Sequence, residues 1–94
     1  MDYIREASRE NPVYRSVDVL VVGGGVAGCT AAIAASKAGA STLLVERNGC
    51  LGGVLTSNII PNLLNNHMDD EYHQLLCGVP KEIIERLVNI GGSI

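Results

Sequence analysis

The sequence predicts an α/β fold built on a parallel strand–helix–strand unit, and three observations support this prediction. Segment 17–22 is apolar and rich in β-branched residues, which is typical of a buried strand. The small apolar residues from Ala27 to Ala38 predict a helix that packs closely on a sheet, with Gly39 ending it. A second β-rich segment, Thr42–Val45, completes the unit.

The glycines between the first strand and the helix have the spacing GxGxxG. Gly23 permits a sharp turn out of the strand, Gly25 lets a pyrophosphate approach the backbone, and Gly28 lets the helix lie close to the strand. The helix N-terminus near Val26 and Ala27 would present free N–H groups and a partial positive charge to the phosphates. The pattern therefore predicts a Rossmann-like dinucleotide-binding unit.

An acid stands at the end of the second predicted strand. Glu46 follows Gly28 by eighteen positions, a spacing that suits the acid that accepts hydrogen bonds from ribose hydroxyls. A carboxylate at this position would repel a 2′-phosphate, so NADP is not expected. Arg47 comes next and is expected to flank the adenine or to form a pair at the surface.

A second glycine cluster follows within segment 47–58. One interpretation is a flexible loop. The other is a second close approach to the cofactor, in which Gly52 and Gly53 offer N–H groups and Thr56 and Ser57 add hydroxyl donors. The position just past the carboxyl end of a strand favours the second interpretation.

These motifs together resemble the N-terminus of FAD-dependent oxidoreductases of the glutathione-reductase-like class with two dinucleotide folds. The resemblance is carried by DVLVVGGGVAG, AAIAASKAGAS, LLVER and GCLGG, and it covers roughly residues 5–60. It implies FAD as the cofactor, with NAD as the alternative. The implied binding residues are Gly23, Gly25, Val26, Ala27 and Gly28 at the pyrophosphate, Glu46 at the adenosine ribose, Arg47 beside the adenine, and Gly52 and Gly53 at the phosphate and ribityl side.

The cysteines depart from one branch of that class. The redox-active pair of the disulfide reductases, two cysteines separated by four residues, is absent, which disfavours that branch. Cys29 is expected to be a small packing residue and Cys50 an ordinary loop thiol, with a catalytic or flavin-linked role for Cys50 as the alternative. No disulfide framework is expected.

The segment after the second glycine cluster is less informative. Pro61 argues against a central strand. His67 and His73 lie among acidic residues, but a separation of six places them on opposing sides of a helix. A solvated acidic loop without metal is therefore expected, although a base that acts on substrate could lie there.

A second helix is predicted over residues 78–91. Pro80 suits its first turn and Gly91 its C-terminal cap. Glu82 and Arg86 have the spacing and order of a favourable ion pair. The apolar residues Ile83, Ile84, Leu87 and Val88 predict a packing face.

The composition indicates which kinds of binding partner are not expected. The net charge is −3 without a basic run, so neither nucleic acid nor an anionic membrane is expected as a partner. No apolar run reaches the roughly 18 residues that would span a bilayer. Residues 1–16 have no apolar core typical of a secretory signal and predict an extended lead-in, so a cytoplasmic location is expected.

Residues 17–94 are expected to form the N-terminal part of a FAD-binding Rossmann-like domain, incomplete by itself. A parallel sheet needs both faces covered, so a fragment of a longer protein is expected, with a downstream domain or partner chain required. The substrate and the catalytic residues cannot be assigned from these 94 residues. An NAD-binding module and a non-catalytic Rossmann-like remnant are the alternative interpretations.

Overall fold

A computed structural model describes residues 1–60 and 77–92. Strand β1 (Val19–Val22), helix α1 (Val26–Lys37) and strand β2 (Thr42–Val45) follow one another along the chain. A short 3₁₀ helix (Gly53–Leu55) and helix α2 (Val79–Asn89) come after them. Residues 1–16 contain no helix or strand and are exposed.

Strands β1 and β2 pair in parallel, as predicted. Their register places Val19 opposite Thr42 and Val22 opposite Val45. The start of the pair is closed by polar groups, since Asp18 Oδ2 accepts a hydrogen bond from the Ser41 N–H at 2.8 Å and the Ser41 carbonyl accepts from the Asp18 N–H at 3.0 Å. Strand β1 therefore begins two residues later than segment 17–22 predicts, after the charged Asp18.

The prediction of a buried first strand is wrong for the described part of the chain. Val19 and Val21 are half-buried on the side of α1, but Leu20 is 58% exposed and Val22 is 78% exposed. A parallel sheet buries its strands only when both of its faces are covered. Among the described residues only the α1 face is covered, and no hydrophobic side chain there is fully buried.

Helix α1 lies one residue towards the N-terminus of its predicted bounds. Its last turn is closed by a hydrogen bond from the Ala38 N–H to the Ala34 carbonyl at 3.0 Å. Gly39 then has φ +91°, a conformation that favours glycine, which explains why the helix ends there as predicted.

Helix α2 confirms the prediction for residues 78–91. Pro80 lies in its first turn, and Gly91 follows the helix with φ +72°. Glu82 accepts a hydrogen bond from Arg86 at 2.7 Å within the helix and also forms an ion pair with Lys37 of α1. This ion pair joins the two helices.

The predictions for Pro61, His67 and His73 fall outside the described residues. Within residues 1–60 and 77–92, no helix has both the length and the apolar character that crossing a membrane requires.

Candidate functional site

The candidate site lies where β1 and β2 end side by side. Val22 pairs with Val45, so Gly23 and Glu46 leave the sheet at the same edge, and the Gly23 N–H donates to the Val45 carbonyl at 2.8 Å. Ligands of open parallel sheets bind at the carboxyl ends of the strands. This edge of the sheet is therefore the candidate ligand-binding site.

The turn between β1 and α1 requires glycine at two positions. Gly23 has φ +103°, which side chains rarely permit. A Cβ atom at Gly28 would overlap the Gly23 carbonyl oxygen and would lie 2.9 Å from the carbonyl carbon. Both geometries agree with the sharp turn and the close helix–strand approach that the sequence predicts.

Gly25 differs because the space beside it is open. A Cβ atom there would meet no other heavy atom within 4 Å, and the backbone is extended with φ −73°. No side chain caps helix α1 and no acidic residue lies in its first turn. The N–H groups of Val26 and Ala27 find no acceptor among the described residues, so they remain available to an anion.

Glu46 is held in place by two backbone N–H groups. Its Oε1 accepts from the Asn48 N–H at 3.0 Å, and its Oε2 accepts from the Gly24 N–H at 2.5 Å. These two hydrogen bonds, with a contribution from the neighbouring Arg47, lower the pKa of the Glu46 carboxyl below its ordinary value. The group is therefore ionised at neutral pH, and each oxygen keeps a further lone pair for another donor.

The second glycine segment packs directly on the turn. The Gly52 N–H donates to the Gly24 carbonyl at 2.8 Å, and a Cβ atom at Gly53 would lie 2.9 Å from the Gly25 Cα. Within the segment, Gly53–Leu55 form a short 3₁₀ helix. Its approach to the turn agrees with the alternative interpretation.

The hydroxyl groups of this segment were expected to donate to the cofactor, but in the structure they donate to carbonyls of the segment itself. The hydroxyls of Thr56 and Ser57 donate to the carbonyls of Leu51 and Gly53 within the same segment. The Gly52 N–H already donates to the Gly24 carbonyl. The Gly53 N–H has no acceptor among the described residues, and the direct contact of Gly52 and Gly53 with a cofactor stays a prediction.

Gly24 is the site residue that the sequence analysis misses. It is buried, it donates to Glu46, and it accepts from Gly52 and from the Cys29 thiol at 3.2 Å. The sequence does contain a signal for this role. Gly24 occupies a position at which the GxGxxG motif allows any residue, yet it is glycine. The half-buried Cys29 acts as a packing residue, as expected, and Cys50 is exposed.

Within the part of the chain that the structure describes, no group of three or more histidine, cysteine, aspartate or glutamate side chains is arranged to hold a metal ion. The described site offers N–H donors that an anion could accept and a carboxylate that could accept from hydroxyl groups.

Comparison with known proteins gives one family match, FAD dependent oxidoreductase, over residues 18–94. A dihydrolipoyl dehydrogenase of Trypanosoma brucei brucei is 43% identical over 63 residues, which are 66% of this chain and 13% of that protein. Dihydrolipoyl dehydrogenase 1 of Arabidopsis thaliana is 41% identical over 58 residues, covering 61% of this chain and 11% of its own length. A cinnamate reductase of Clostridium sporogenes is 47% identical over 53 residues, which are 56% of this chain and 7% of the enzyme.

The chain thus spans about an eighth or less of the length of these relatives. No solved structure matches it with significance. The family match extends across β1, α1, β2 and α2, so it includes the whole candidate site.

Proposed function

Because the chain belongs to the FAD-dependent oxidoreductase family, we propose that it forms the FAD-binding segment of a flavin-dependent oxidoreductase. The pyrophosphate binds at the turn from Gly23 to Gly28 and at the N-terminus of α1. The adenosine ribose binds at Glu46. FAD, rather than NAD, is the cofactor that the family match indicates.

One observation carries the placement of the pyrophosphate. The space beside Gly25 is open, and the neighbouring N–H groups of Val26 and Ala27 have no acceptor among the described residues. A side chain would fill this space, and a phosphate oxygen would satisfy the N–H groups. Uncapped N–H groups at a helix N-terminus favour negative charge, which suits the pyrophosphate of FAD.

The ribose placement is supported by the fixed and ionised Glu46 carboxylate. Its Oε2 is tied to the Gly24 N–H beside the pyrophosphate turn, so a ribose next to that turn would meet a charged acceptor. Charge-assisted hydrogen bonds of this kind are stronger than neutral ones. Arg47 is exposed just beyond the strand, which is compatible with a place beside the adenine.

When bound, FAD supplies the acceptor of a hydride or of electrons, and this segment binds and orients its adenosine diphosphate half. The dihydrolipoyl dehydrogenases that resemble the chain do so over about 60 residues. This sequence has no pair of cysteines separated by four residues, so we do not extend disulfide chemistry to it.

The exposed face of the sheet supports a further element of the proposal. Leu20, Val22 and Val45 are 58%, 78% and 47% exposed. Apolar surface of this kind in a parallel sheet favours a covering layer, which we assign to a further domain or a partner chain.

The test is a visible absorbance spectrum of the full-length protein after FAD has been added and the excess removed. We expect retained flavin bands, and no change in melting temperature with NAD. A protein that retains no flavin but is stabilised by NAD would favour the NAD-binding alternative. A protein that responds to neither would support the non-catalytic remnant and contradict the proposal.

A further inference from the structure

Gly24 connects three segments of the site through its backbone. Its N–H donates to Glu46 Oε2 at 2.5 Å, at the end of β2. Its carbonyl accepts from the Gly52 N–H at 2.8 Å and from the Cys29 thiol of α1 at 3.2 Å. It is also the only buried residue in the described part of the chain.

The surroundings of Gly24 leave little room for a side chain. A Cβ atom there would lie 2.6 Å from Leu51 Cδ2 and 3.0 Å from both Cβ and Oε2 of Glu46. Gly24 does not have a positive φ, so an alanine would fit its backbone conformation. A side chain at this position would therefore press on the end of the Leu51 side chain, which can move, and on the side chain of Glu46.

Gly25 offers a contrast within the same turn. A Cβ atom at Gly25 would enter open space, where the proposed pyrophosphate lies. Adjacent glycines thus face different neighbours: Gly25 faces the ligand, and Gly24 faces the acid and the second glycine segment.

From this geometry we propose that Gly24 is a positioning residue, which aims the Glu46 carboxylate at the ribose and fixes the Leu51–Gly53 segment against the pyrophosphate turn. The proposal rests on the proposed FAD site. It assigns to Gly24 an effect on the cofactor that passes mainly through Glu46, with a smaller part through the Leu51–Gly53 segment, and not through direct contact.

A double-mutant cycle in the full-length protein tests this mechanism. Gly24→Ala is expected to raise the dissociation constant of FAD about tenfold or more, because the new Cβ displaces the carboxylate. Glu46→Gln alone should also weaken binding. If Gly24 acts through Glu46, the two effects will not multiply, and Glu46→Gln will add less than about threefold in the Gly24→Ala background.

Two matched variants serve as controls. Gly25→Ala is expected to weaken FAD binding directly, so its effect should multiply with that of Glu46→Gln. Gly49→Ala should leave binding unchanged, since Gly49 lies outside the proposed pyrophosphate turn and a Cβ atom there meets nothing within 4 Å. Effects of Gly24→Ala and Glu46→Gln that multiply fully would overturn the proposal.

A second measurement does not depend on FAD. Titration of the Glu46 carboxyl by NMR should show its pKa moving back towards the ordinary value in Gly24→Ala, because one of the hydrogen bonds that lower it is weakened. An unchanged pKa would overturn the positioning role. If the wild-type protein binds no FAD, the proposed function fails while this titration still decides the role of Gly24.

The variant Gly24→Ala/Leu51→Ala covers the case in which the single substitution prevents folding. It removes the closest contact and keeps the 3.0 Å approach to Glu46. We expect this protein to fold and still to show the shifted Glu46 pKa and weaker FAD binding. Wild-type values for both would mean that Gly24 only makes room for Leu51, and the proposal would be wrong.

Discussion

The Glu46 carboxylate is held by two backbone N–H groups, those of Asn48 and Gly24. An acceptor that is already fixed loses little conformational freedom on binding, which favours affinity. The charge of the carboxylate also argues against a 2′-phosphate at the same place. If the ribose binds at Glu46 as proposed, this charge selects a ribose without a 2′-phosphate.

The first prediction concerns Glu46→Ala. The substitution would remove the proposed charge-assisted hydrogen bonds to the ribose, and we expect the affinity for FAD to fall about tenfold to hundredfold. A titration of flavin fluorescence in the full-length protein measures this change. Glu85→Ala, at an exposed side chain on α2, is the control and should bind as the wild type does. An unchanged dissociation constant for Glu46→Ala would place the ribose elsewhere.

The second prediction is a pH dependence. The pKa of Glu46 in the folded protein is lowered from its ordinary value of 4.5, first by the Asn48 N–H and then by the Gly24 N–H. The ionised group therefore stabilises the folded state above pH 4.5, and this contribution is lost as the pH falls through the lower, folded-state pKa. Chemical denaturation at several acidic pH values should show a steeper loss of stability for the wild type than for Glu46→Gln. Identical slopes would contradict the fixed, ionised carboxylate.

Among the elements, helix α1 is positioned by its contact with the turn that precedes it. Gly28 lies so close to the Gly23 carbonyl that only a hydrogen atom fits between them, and Val21 of β1 is also near. This contact brings the N-terminus of α1 to the edge of the sheet where β1 and β2 end. The position of the free N–H groups therefore depends on Gly28.

The third prediction is that Gly28→Ala destabilises the protein. Replacement of glycine by alanine inside a helix ordinarily stabilises it by about 1 kcal/mol. Here the overlap with the Gly23 carbonyl reverses the sign, and we expect a loss of about 1–3 kcal/mol in the free energy of unfolding. Urea denaturation measures this loss, with Gly49→Ala as the control. A stabilised Gly28→Ala protein would show that the helix does not approach the strand this closely.

Helix α2 is tied to α1 through Glu82. Its carboxylate pairs with Lys37 of α1 and with Arg86 of α2, and these two cations lower its pKa, Lys37 most strongly. Exposed ion pairs contribute little to global stability, so the expected effect is on the docking of the helix.

The fourth prediction is that Glu82→Gln speeds hydrogen exchange in α2 while the melting temperature changes little. Glu85→Gln is the matched control, because the partner of Glu85 is Lys81 of the same helix at 3.8 Å. Equal exchange in the two variants would mean that the Lys37–Glu82 pair does not hold α2 on α1.

At the scale of the whole molecule, the elements could be predicted from the sequence because each has a local signal. The β-branched runs indicate β1 and β2, the small residues and Gly39 indicate α1, and Pro80 and Gly91 bound α2. The glycine turn and Glu46 were predicted for the same reason, since their spacing follows the strand–helix–strand unit.

The contacts of Gly24 could not be predicted in this way. Gly24 meets Glu46 across 22 positions of the chain, and such a backbone-to-side-chain contact has no periodic pattern in the sequence. Burial also depends on the surroundings of the sheet rather than on the strand itself. Leu20 and Val22 have the apolar character of a buried strand, but no described residue covers their face.

The measurement that tests the central claim most directly, and the fifth prediction, compares FAD binding by the wild type, Gly25→Val and Gly49→Val in the full-length protein. Gly25 has φ −73° and open space around its Cβ position, so valine is compatible with the fold. Its side chain would nevertheless occupy the proposed pyrophosphate position. Gly49 also has open space beside it and serves as the control.

We expect FAD at a hundred times its dissociation constant to stabilise the wild type and Gly49→Val by about 2.7 kcal/mol. Gly25→Val should show no stabilisation, although it unfolds like the wild type without FAD. A Gly25→Val protein that FAD stabilises as much as the wild type would show that the pyrophosphate does not lie at this turn.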